Sequence, residues 1–116
     1  MAVVPSHTER LWTKFYEAGV PAQLDYPDIT LGTMLAQTAQ KFPDHTALLF
    51  YGTKITYAAL DRLANRFANA LTGLGVKKTD RVALMMPNIP QMIIAYYGTL
   101  KIGAIAVATN PLYHEH

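Results

Sequence analysis

Cysteine is absent from this chain of 116 residues. Its absence excludes a disulfide scaffold, a thiolate metal site and a cysteine nucleophile, and it agrees with a reducing compartment, so we expect a cytoplasmic protein. Charge is also sparse: Lys and Arg number 10 against 8 for Asp and Glu, a formal net charge of +2. So small a surplus does not predict nucleic acid as a partner. The length allows one domain at most.

Signals for export or membrane insertion are also missing. The first ten residues lack the basic start and apolar stretch of a secretory signal. Residues 89–108 are largely apolar over the length of a membrane span, but Lys101 lies among them and Gly98 and Gly103 divide them. This pattern favours a buried helix followed by a buried strand. The sequence therefore predicts no transmembrane segment.

Proline, glycine and aromatic residues set the N-terminal part apart from the rest. Residues 1–27 carry three prolines and one glycine, which predicts an extended arm. Within it, residues 9–18 form a short amphipathic run. Its apolar members are Leu11, Trp12, Phe15 and Tyr16. So many large apolar side chains need a surface to lie on, and we expect part of that surface to be missing from this chain.

Apolar residues at three-and-four spacing predict two amphipathic helices, each preceded by a threonine N-cap. The first covers residues 31–42 after Thr30, and the second covers residues 57–72 after Thr56, with Gly73 as a left-handed cap at its end.

A hairpin is predicted between the two helices. Its strands are residues 46–51 and 54–56, and Gly52 and Thr53 form the centre of a type II′ turn. A capping box for the second helix is not expected, because Ala59 replaces the required Glu or Gln.

The C-terminal third has the pattern of a βαβ unit, which needs about 30 residues. Asn88 is the expected cap of its helix, with Gln91 completing a capping box and Gly103 closing the helix. The predicted elements are strand 81–86, helix 92–102 and strand 104–109. The first strand lacks polar alternation, which predicts burial on both faces. The fold class is therefore α/β: a partial layered sheet with an arm, a helix, a hairpin, a long amphipathic helix and one βαβ unit.

Phosphate-binding loops are not recognisable at the expected places. The turn after the first βαβ strand, residues 87–90, has no glycine, so a dinucleotide fingerprint is not predicted. Residues 73–79 superficially resemble a P-loop, but they lack its glycine-to-lysine spacing and follow a helix instead of preceding one. We interpret this segment as a helix C-cap and a solvated turn.

Metal, acid–base and anion sites are not indicated by residue spacing. The histidines are His7, His45, His114 and His116, and no two are four apart as on one helical face. The aspartates Asp25, Asp28, Asp44, Asp61 and Asp80 are scattered, which predicts solvated surface charge. A small basic patch is conceivable from Arg62, Arg66, Lys77, Lys78 and Arg81, without aromatic partners. We therefore predict no catalytic, cofactor-binding or metal-binding residue.

Five short sequence motifs together indicate a resemblance to a known family. They are Gly19-Val20-Pro21; Lys54-Ile55-Thr56-Tyr57 running into residues 60–68; Gly75-Val76-Lys77-Lys78 with Asp80-Arg81-Val82; Pro87-Asn88-Ile89-Pro90-Gln91; and Asn110-Pro111-Leu112-Tyr113. In this order the chain resembles the N-terminal segment of AMP-forming acyl-CoA synthetases, and it is most similar to bacterial long-chain fatty acid–CoA ligases of the adenylate-forming superfamily. Two local departures are Ala59, where the family commonly has Glu, and Thr79, where it commonly has Gly.

The resemblance implies a longer parent enzyme that uses ATP and Mg²⁺ to convert a fatty acid into an acyl-adenylate and then transfers the acyl group to coenzyme A. The family's phosphate loop, aromatic-Thr-Glu motif, ribose-binding Asp and catalytic Lys are not found here. Tyr97-Gly98-Thr99 mimics only the start of the aromatic motif. Residues 1–116 are thus expected to be an incomplete N-terminal portion of the AMP-binding domain, inactive alone.

Two other interpretations of the chain remain open. The chain is either a stand-alone module that binds a small ligand or self-associates without chemistry, or a short reading frame with no activity. The expected partners are the remainder of the parent enzyme and, through exposed strand edges, a second copy. The sequence leaves open the acyl chain length and a peripheral membrane association of the parent.

Overall fold

Helices and short strands alternate along residues 10–112, which are the residues that the computed structural model describes. Predictions that fall on residues 1–9 and 113–116, including those for His7, His114 and His116, lie outside them. The elements are a 3-10 helix Leu11–Phe15, α1 Leu31–Lys41, β1 Thr46–Phe50, β2 Thr53–Thr56, α2 Tyr57–Gly73, β3 Arg81–Met85, α3 Pro90–Lys101 and β4 Ile105–Thr109. The predicted α/β class is confirmed.

Threonine hydroxyls begin the first two helices, as predicted. Thr30 Oγ1 accepts a hydrogen bond from the Thr33 N–H at 3.1 Å. Thr56 Oγ1 accepts one from the Ala59 N–H at 3.2 Å. The first helix ends one residue earlier than predicted, at Lys41, because a residue that precedes proline is disfavoured in the helical region.

A glycine ends α2, but it is not the glycine that was predicted. Gly73 is the last helical residue, whereas Gly75 has the positive φ of +88°. The Gly75 N–H donates to Thr72 O and the Val76 N–H donates to Leu71 O, which is the Schellman pattern. The prediction of Gly73 as the left-handed cap is wrong. Reversal at Gly75 places apolar Val76 at the position whose side chain usually packs on the last helical turn.

The hairpin turn also lies one residue earlier than predicted. Phe50 pairs with Thr53, so Tyr51 and Gly52 are the central residues, with φ of +45° and +81°. Two positive φ values define a type I′ turn, whose twist matches that of the flanking strands. The predicted type II′ turn with Thr53 at its centre is therefore wrong. Thr53 instead opens β2.

The predicted βαβ unit is confirmed, although its helix begins differently. β3 and β4 pair in parallel, from Arg81 opposite Ile105 to Met85 opposite Thr109. α3 begins at Pro90 after the N-cap Ile89, and no side chain of residues 10–112 caps it. The predicted Asn88 and Gln91 capping box is wrong, because proline has the fixed φ that suits the first helical position and needs no partner for an N–H.

Small residues allow α2 and α3 to cross closely. Ala64 and Ala68 of α2 are buried, as are Ala95, Gly98 and Thr99 of α3. A Cβ placed on Gly98 would lie 2.8 Å from Ala64 O, which is too short for van der Waals contact. Glycine is therefore required at this crossing. The main apolar cluster lies beside it, around Leu35, Leu60 and Ala64, with Leu48, Ile55, Ile93 and Tyr97 packed against it.

The parallel sheet is covered on one face only within the described part of the chain. Leu84 is buried, but Met85 is 64% exposed, and burial alternates along β3. Paired residues share a face, so Ile105 and Val107 of β4 lie on the same side as Met85 and are also exposed. The prediction that β3 is buried on both faces is wrong for residues 10–112. We call this side, formed by Arg81, Ala83, Met85, Ile105, Val107 and Thr109, the open face.

The arm adds a second exposed apolar surface. Its 3-10 helix carries Leu11, Trp12 and Phe15, none of them buried, and Phe15 is 84% exposed. The radius of gyration is 18.5 Å, against about 13 Å for a compact domain of this length. The large apolar residues of the arm are thus exposed among residues 10–112.

Candidate functional site

The carboxyl ends of β3 and β4 are the first place to look, because ligands of open α/β sheets bind outside the carboxyl ends of parallel strands. A crevice of about 740 Å³ lies there, lined mainly by the turns after the two strands. Its lining includes Met86, Pro87, Asn88, Met92, Thr109 and Asn110. Asn110 Oδ1 accepts the Leu112 N–H at 2.9 Å, so this side chain shapes its own turn. The crevice is open, with few polar groups directed into it.

A nucleotide phosphate does not fit the residues at this crevice. A cradle needs free N–H groups at the start of a helix and glycines that let the backbone approach. Here α3 opens with Pro90, which has no N–H, and the Met92 N–H already donates to Ile89 O at 3.0 Å. No glycine occurs between residues 86 and 90. Residues 86–90 therefore lack the features of a phosphate cradle.

Residues 73–79, which superficially resemble a P-loop, lie at the opposite end of the sheet, where β3 and β4 begin. The Lys77 N–H donates to Asp80 Oδ2 at 2.8 Å, and the Thr79 N–H donates to Gly103 O at 2.9 Å. The Ile105 N–H donates to Asp80 O at 2.7 Å. These bonds tie the turn before β3 to the turn before β4 and set the register of the two strands. The interpretation as a helix cap and turn therefore agrees with the structure.

One ion pair links three helices, and sequence reasoning missed it. Lys101 Nζ lies 2.8 Å from Asp61 Oδ1, and the Asn65 side-chain amide donates to Asp61 Oδ2 at 3.1 Å. The stem of Lys101 passes over Gly32, where an added Cβ would lie 3.1 Å from Lys101 Cγ. Both charges are thereby satisfied by each other, so the pair serves to hold α1, α2 and α3 together. Forty residues separate Asp61 from Lys101, and no local pattern signals the contact.

The remaining candidates are dispersed over the surface. Within residues 10–112, no group of three or more His, Asp or Glu side chains could hold a metal ion. His45 stacks on Phe42, with 5.1 Å between the ring centroids. The basic residues Arg62, Arg66, Lys77, Lys78 and Arg81 are all exposed. The prediction that none of these residues has a catalytic or binding role stays a prediction.

The apparent start of an aromatic motif lies in the middle of α3. Gly98 and Thr99 are buried, and Thr99 Oγ1 donates to Ala95 O at 2.8 Å. A hydroxyl that is fully buried and bonded to its own helix does not face a ligand. The role of the family's aromatic motif is therefore not transferred to Tyr97, Gly98 and Thr99.

Comparison with known families identifies the chain's relatives. A family model described as AMP-binding enzyme matches residues 35–116. The chain belongs to the AMP-binding enzyme family. Among curated relatives, a long-chain-fatty-acid–CoA ligase of Bacillus subtilis (strain 168) is 44% identical over 109 residues, which are 94% of this chain and 20% of the relative. The resemblance to acyl-CoA synthetases is thus confirmed.

Solved structures agree with this membership of the AMP-binding family. A fatty acyl CoA synthetase of Mycobacterium tuberculosis superposes with a TM-score of 0.70 at 42% identity, over 72% of this chain and 17% of that one. Among the curated sequence relatives, a 3-hydroxybenzoate–CoA/4-hydroxybenzoate–CoA ligase of Thauera aromatica is 49% identical over 72 residues, 62% of this chain and 14% of the relative. The chain spans about a fifth of the length of the first curated relatives it matches.

Over residues 10–112, no helix combines the length and the apolar character that crossing a bilayer requires.

Proposed function

We propose that this chain is the structural N-terminal portion of an AMP-binding domain in a fatty acid–CoA ligase. In the longer protein, ATP and Mg²⁺ activate a fatty acid to an acyl-adenylate, and the acyl group then passes to coenzyme A. The observation that carries the proposal is the 44% identity to a long-chain-fatty-acid–CoA ligase across 94% of this chain. A cytoplasmic location remains part of the proposal.

The role of residues 1–116 in such an enzyme is to supply the first strands of its sheet and the helices that pack beside them. The close α2–α3 crossing at Gly98 and the ion pair between Asp61 and Lys101 fix three helices against each other. The bonds of Asp80 and Gly103 set β3 beside β4. Because the crevice beyond β3 and β4 lacks a glycine-rich phosphate cradle, the proposal assigns adenylation and thioester formation to the remainder of the longer protein.

Acyl selectivity is likewise assigned to the remainder. Similar identity connects this chain to a fatty acid ligase and to a hydroxybenzoate ligase. A shared segment that serves two such different carboxylic acids supports a role in the scaffold and not in the acyl pocket.

A chimeric enzyme tests this proposal. The segment of the Bacillus subtilis ligase that matches this chain is replaced by the chain, and acyl-CoA formation from fatty acids, ATP and coenzyme A is measured. We expect activity with the chain-length preference of the unmodified ligase. An altered preference, or a folded chimera without activity, contradicts a purely structural role.

Matched variants show whether the transplanted segment is folded into the chimera. Gly98→Leu would force a large side chain into the α2–α3 crossing, whereas Gly73→Leu places the same side chain at a helical position with no described atom near its Cβ. We expect the first change to abolish activity and the second to preserve it. Equal effects would contradict the role assigned to the crossing.

A self-associating module without chemistry is the second candidate function. It is favoured by one observation, the exposed apolar residues on the open face of the β3–β4 sheet. Parallel sheets are almost always covered on both faces. Self-association would cover this face with a second copy, whereas in a longer ligase the remainder of the protein would cover it.

A further inference from the structure

The side chain of Lys101 runs from α3 past α1 to α2. Lys101 is the last residue of α3, and its stem lies against Gly32, which is the only glycine of α1. An added Cβ on Gly32 would lie 3.1 Å from Lys101 Cγ and 3.5 Å from Lys101 Cα. The first distance is shorter than ordinary contact between carbon atoms, whereas the second is not. What position 32 admits therefore depends on the conformation of the Lys101 side chain more than on the backbone of α3.

An ion pair and a hydrogen bond fix that conformation. The ammonium group of Lys101 lies 2.8 Å from Asp61 Oδ1, and the two side chains are only 14% and 21% exposed. The other carboxylate oxygen of Asp61 accepts the Asn65 amide at 3.1 Å, which orients the carboxylate. A lysine stem is flexible on its own. Its conformation here is set by the group that holds its end.

Space for other conformations lies beside the stem. A polar crevice of about 450 Å³ opens next to Lys101, lined mainly by residues of α1. Without the Asp61 carboxylate, the ammonium group can turn through this crevice to water, because other staggered rotamers become accessible. Lys101 Cγ would then move away from Gly32. Outside α1, the three atoms nearest to an added Cβ on Gly32 all belong to Lys101, so Asp61 can act on position 32 only through that side chain.

We propose that Asp61 is a positioning residue for α1: it holds the Lys101 stem in place, and the stem so held admits only glycine at position 32. A side chain fixed at its end resists a neighbour as backbone does, whereas a free one yields. Because a partly buried ion pair contributes little net stability, its consequence is the selection of one packing arrangement for α1. The contacts involved are all made within the described residues. The device is therefore independent of the proposed ligase role and of what a longer protein covers.

A double-mutant cycle between Gly32 and Asp61 tests the proposal, with urea unfolding as the assay. Gly32→Ala in the unchanged chain should lower the urea midpoint by about 0.5 M, because the added Cβ meets a stem that cannot move. The same change in an Asp61→Ala chain should raise the midpoint, since the stem yields and alanine is the better helix former. Independent structural contributions would add and would not reverse the sign. If Gly32→Ala alone does not fold, recovery of folding in the Asp61→Ala chain is the same reversal.

Three further variants separate this coupling from a general effect. Lys101→Met keeps an unbranched stem without its charge, so Gly32→Ala should raise the midpoint in that chain too. Arg62→Ala removes the charge of an exposed neighbour of Asp61, and Gly32→Ala should lower the midpoint there as in the unchanged chain. Gly98→Ala collides with backbone of α2, so Asp61→Ala should not rescue it.

NMR couplings across the χ1 bond of Lys101 give a readout that needs no change at Gly32. One rotamer is expected in the unchanged chain, and averaging over several is expected in the Asp61→Ala chain. Averaging in the unchanged chain overturns the proposal. An equal fall in midpoint for Gly32→Ala in the unchanged, Asp61→Ala and Lys101→Met chains also overturns it. Both measurements use the chain itself, so they are distinguishable from a failure of the chimeric ligase.

Discussion

Replacing Gly98 by alanine should destabilise the chain, although alanine is the better helix former. The added Cβ would lie 2.8 Å from both Ala64 O and Phe67 Cδ1. Phe67 can turn aside, but Ala64 O belongs to the backbone of α2, so the two helices must separate. Such overpacking costs about 1–3 kcal/mol, or somewhat more where backbone is involved. The gain in helix propensity is about 1 kcal/mol. We therefore expect a net loss of up to about 2 kcal/mol.

The matched control is Gly73→Ala at the end of α2. Gly73 is also helical, and no described atom lies within 4 Å of its added Cβ. This variant should be more stable than the unchanged chain by about 0.5–1 kcal/mol, since only the propensity term applies.

Urea unfolding followed by far-UV circular dichroism measures both variants. The helical signal is the suitable probe, because Trp12 lies exposed on the arm and does not report on the core. A loss of about 1 kcal/mol corresponds to a fall in Tm of about 4–8 °C for a domain of this size. If the two alanine variants change stability in the same direction, the close approach of α2 and α3 at Gly98 is refuted.

Four further substitutions test local features, each by its shift in the urea midpoint. Thr79→Gly should stabilise by about 0.5–1 kcal/mol, because a β-branched residue at φ of +75° is strained; a lower midpoint would contradict strain there. Tyr51→Asn should raise stability by about 0.5 kcal/mol, since the position is 95% exposed and asparagine suits a type I′ turn; an unchanged or lower midpoint would argue against that turn. Thr56→Ala should cost about 1 kcal/mol through loss of the N-cap bond. Asn88→Ala should have little effect, and equal losses would mean that Asn88 caps α3 after all.

Local signals predicted the helices well and their ends less well. Thr30 and Thr56 cap as expected, because an N-cap bond spans only three residues and depends on little else. Turn predictions were wrong where two nearby residues could each take the required position. Gly73 and Gly75 both offer a C-cap, and each precedes an apolar residue; the structure uses Gly75, and Val76 after it is half-buried whereas Leu74 is exposed. At the start of α3, the conformational preference of Pro90 outweighs the hydrogen bond that Asn88 offers.

The spacing of residues along the sequence could not predict contacts between segments that are far apart in the chain. The pairing of Asp61 with Lys101 depends on how α2 and α3 cross, which no window of sequence contains. The apolar run of β3 predicted two covered faces, but one lies open over residues 10–112. Hydrophobicity reports what a strand is suited to contact, including surfaces supplied by another polypeptide segment or by a second copy. Family membership, in contrast, followed from short sequence motifs whose order along the chain is specific.

Calorimetric titration of the purified chain with ATP and Mg²⁺ tests the central claim most directly. Oleate and coenzyme A follow as further titrants, and the Bacillus subtilis ligase serves as the positive control. The account predicts no saturable heat from the chain under conditions in which the control binds ATP. Saturable binding of ATP with one site per chain would contradict it and would place a nucleotide site among residues that we assign to the scaffold.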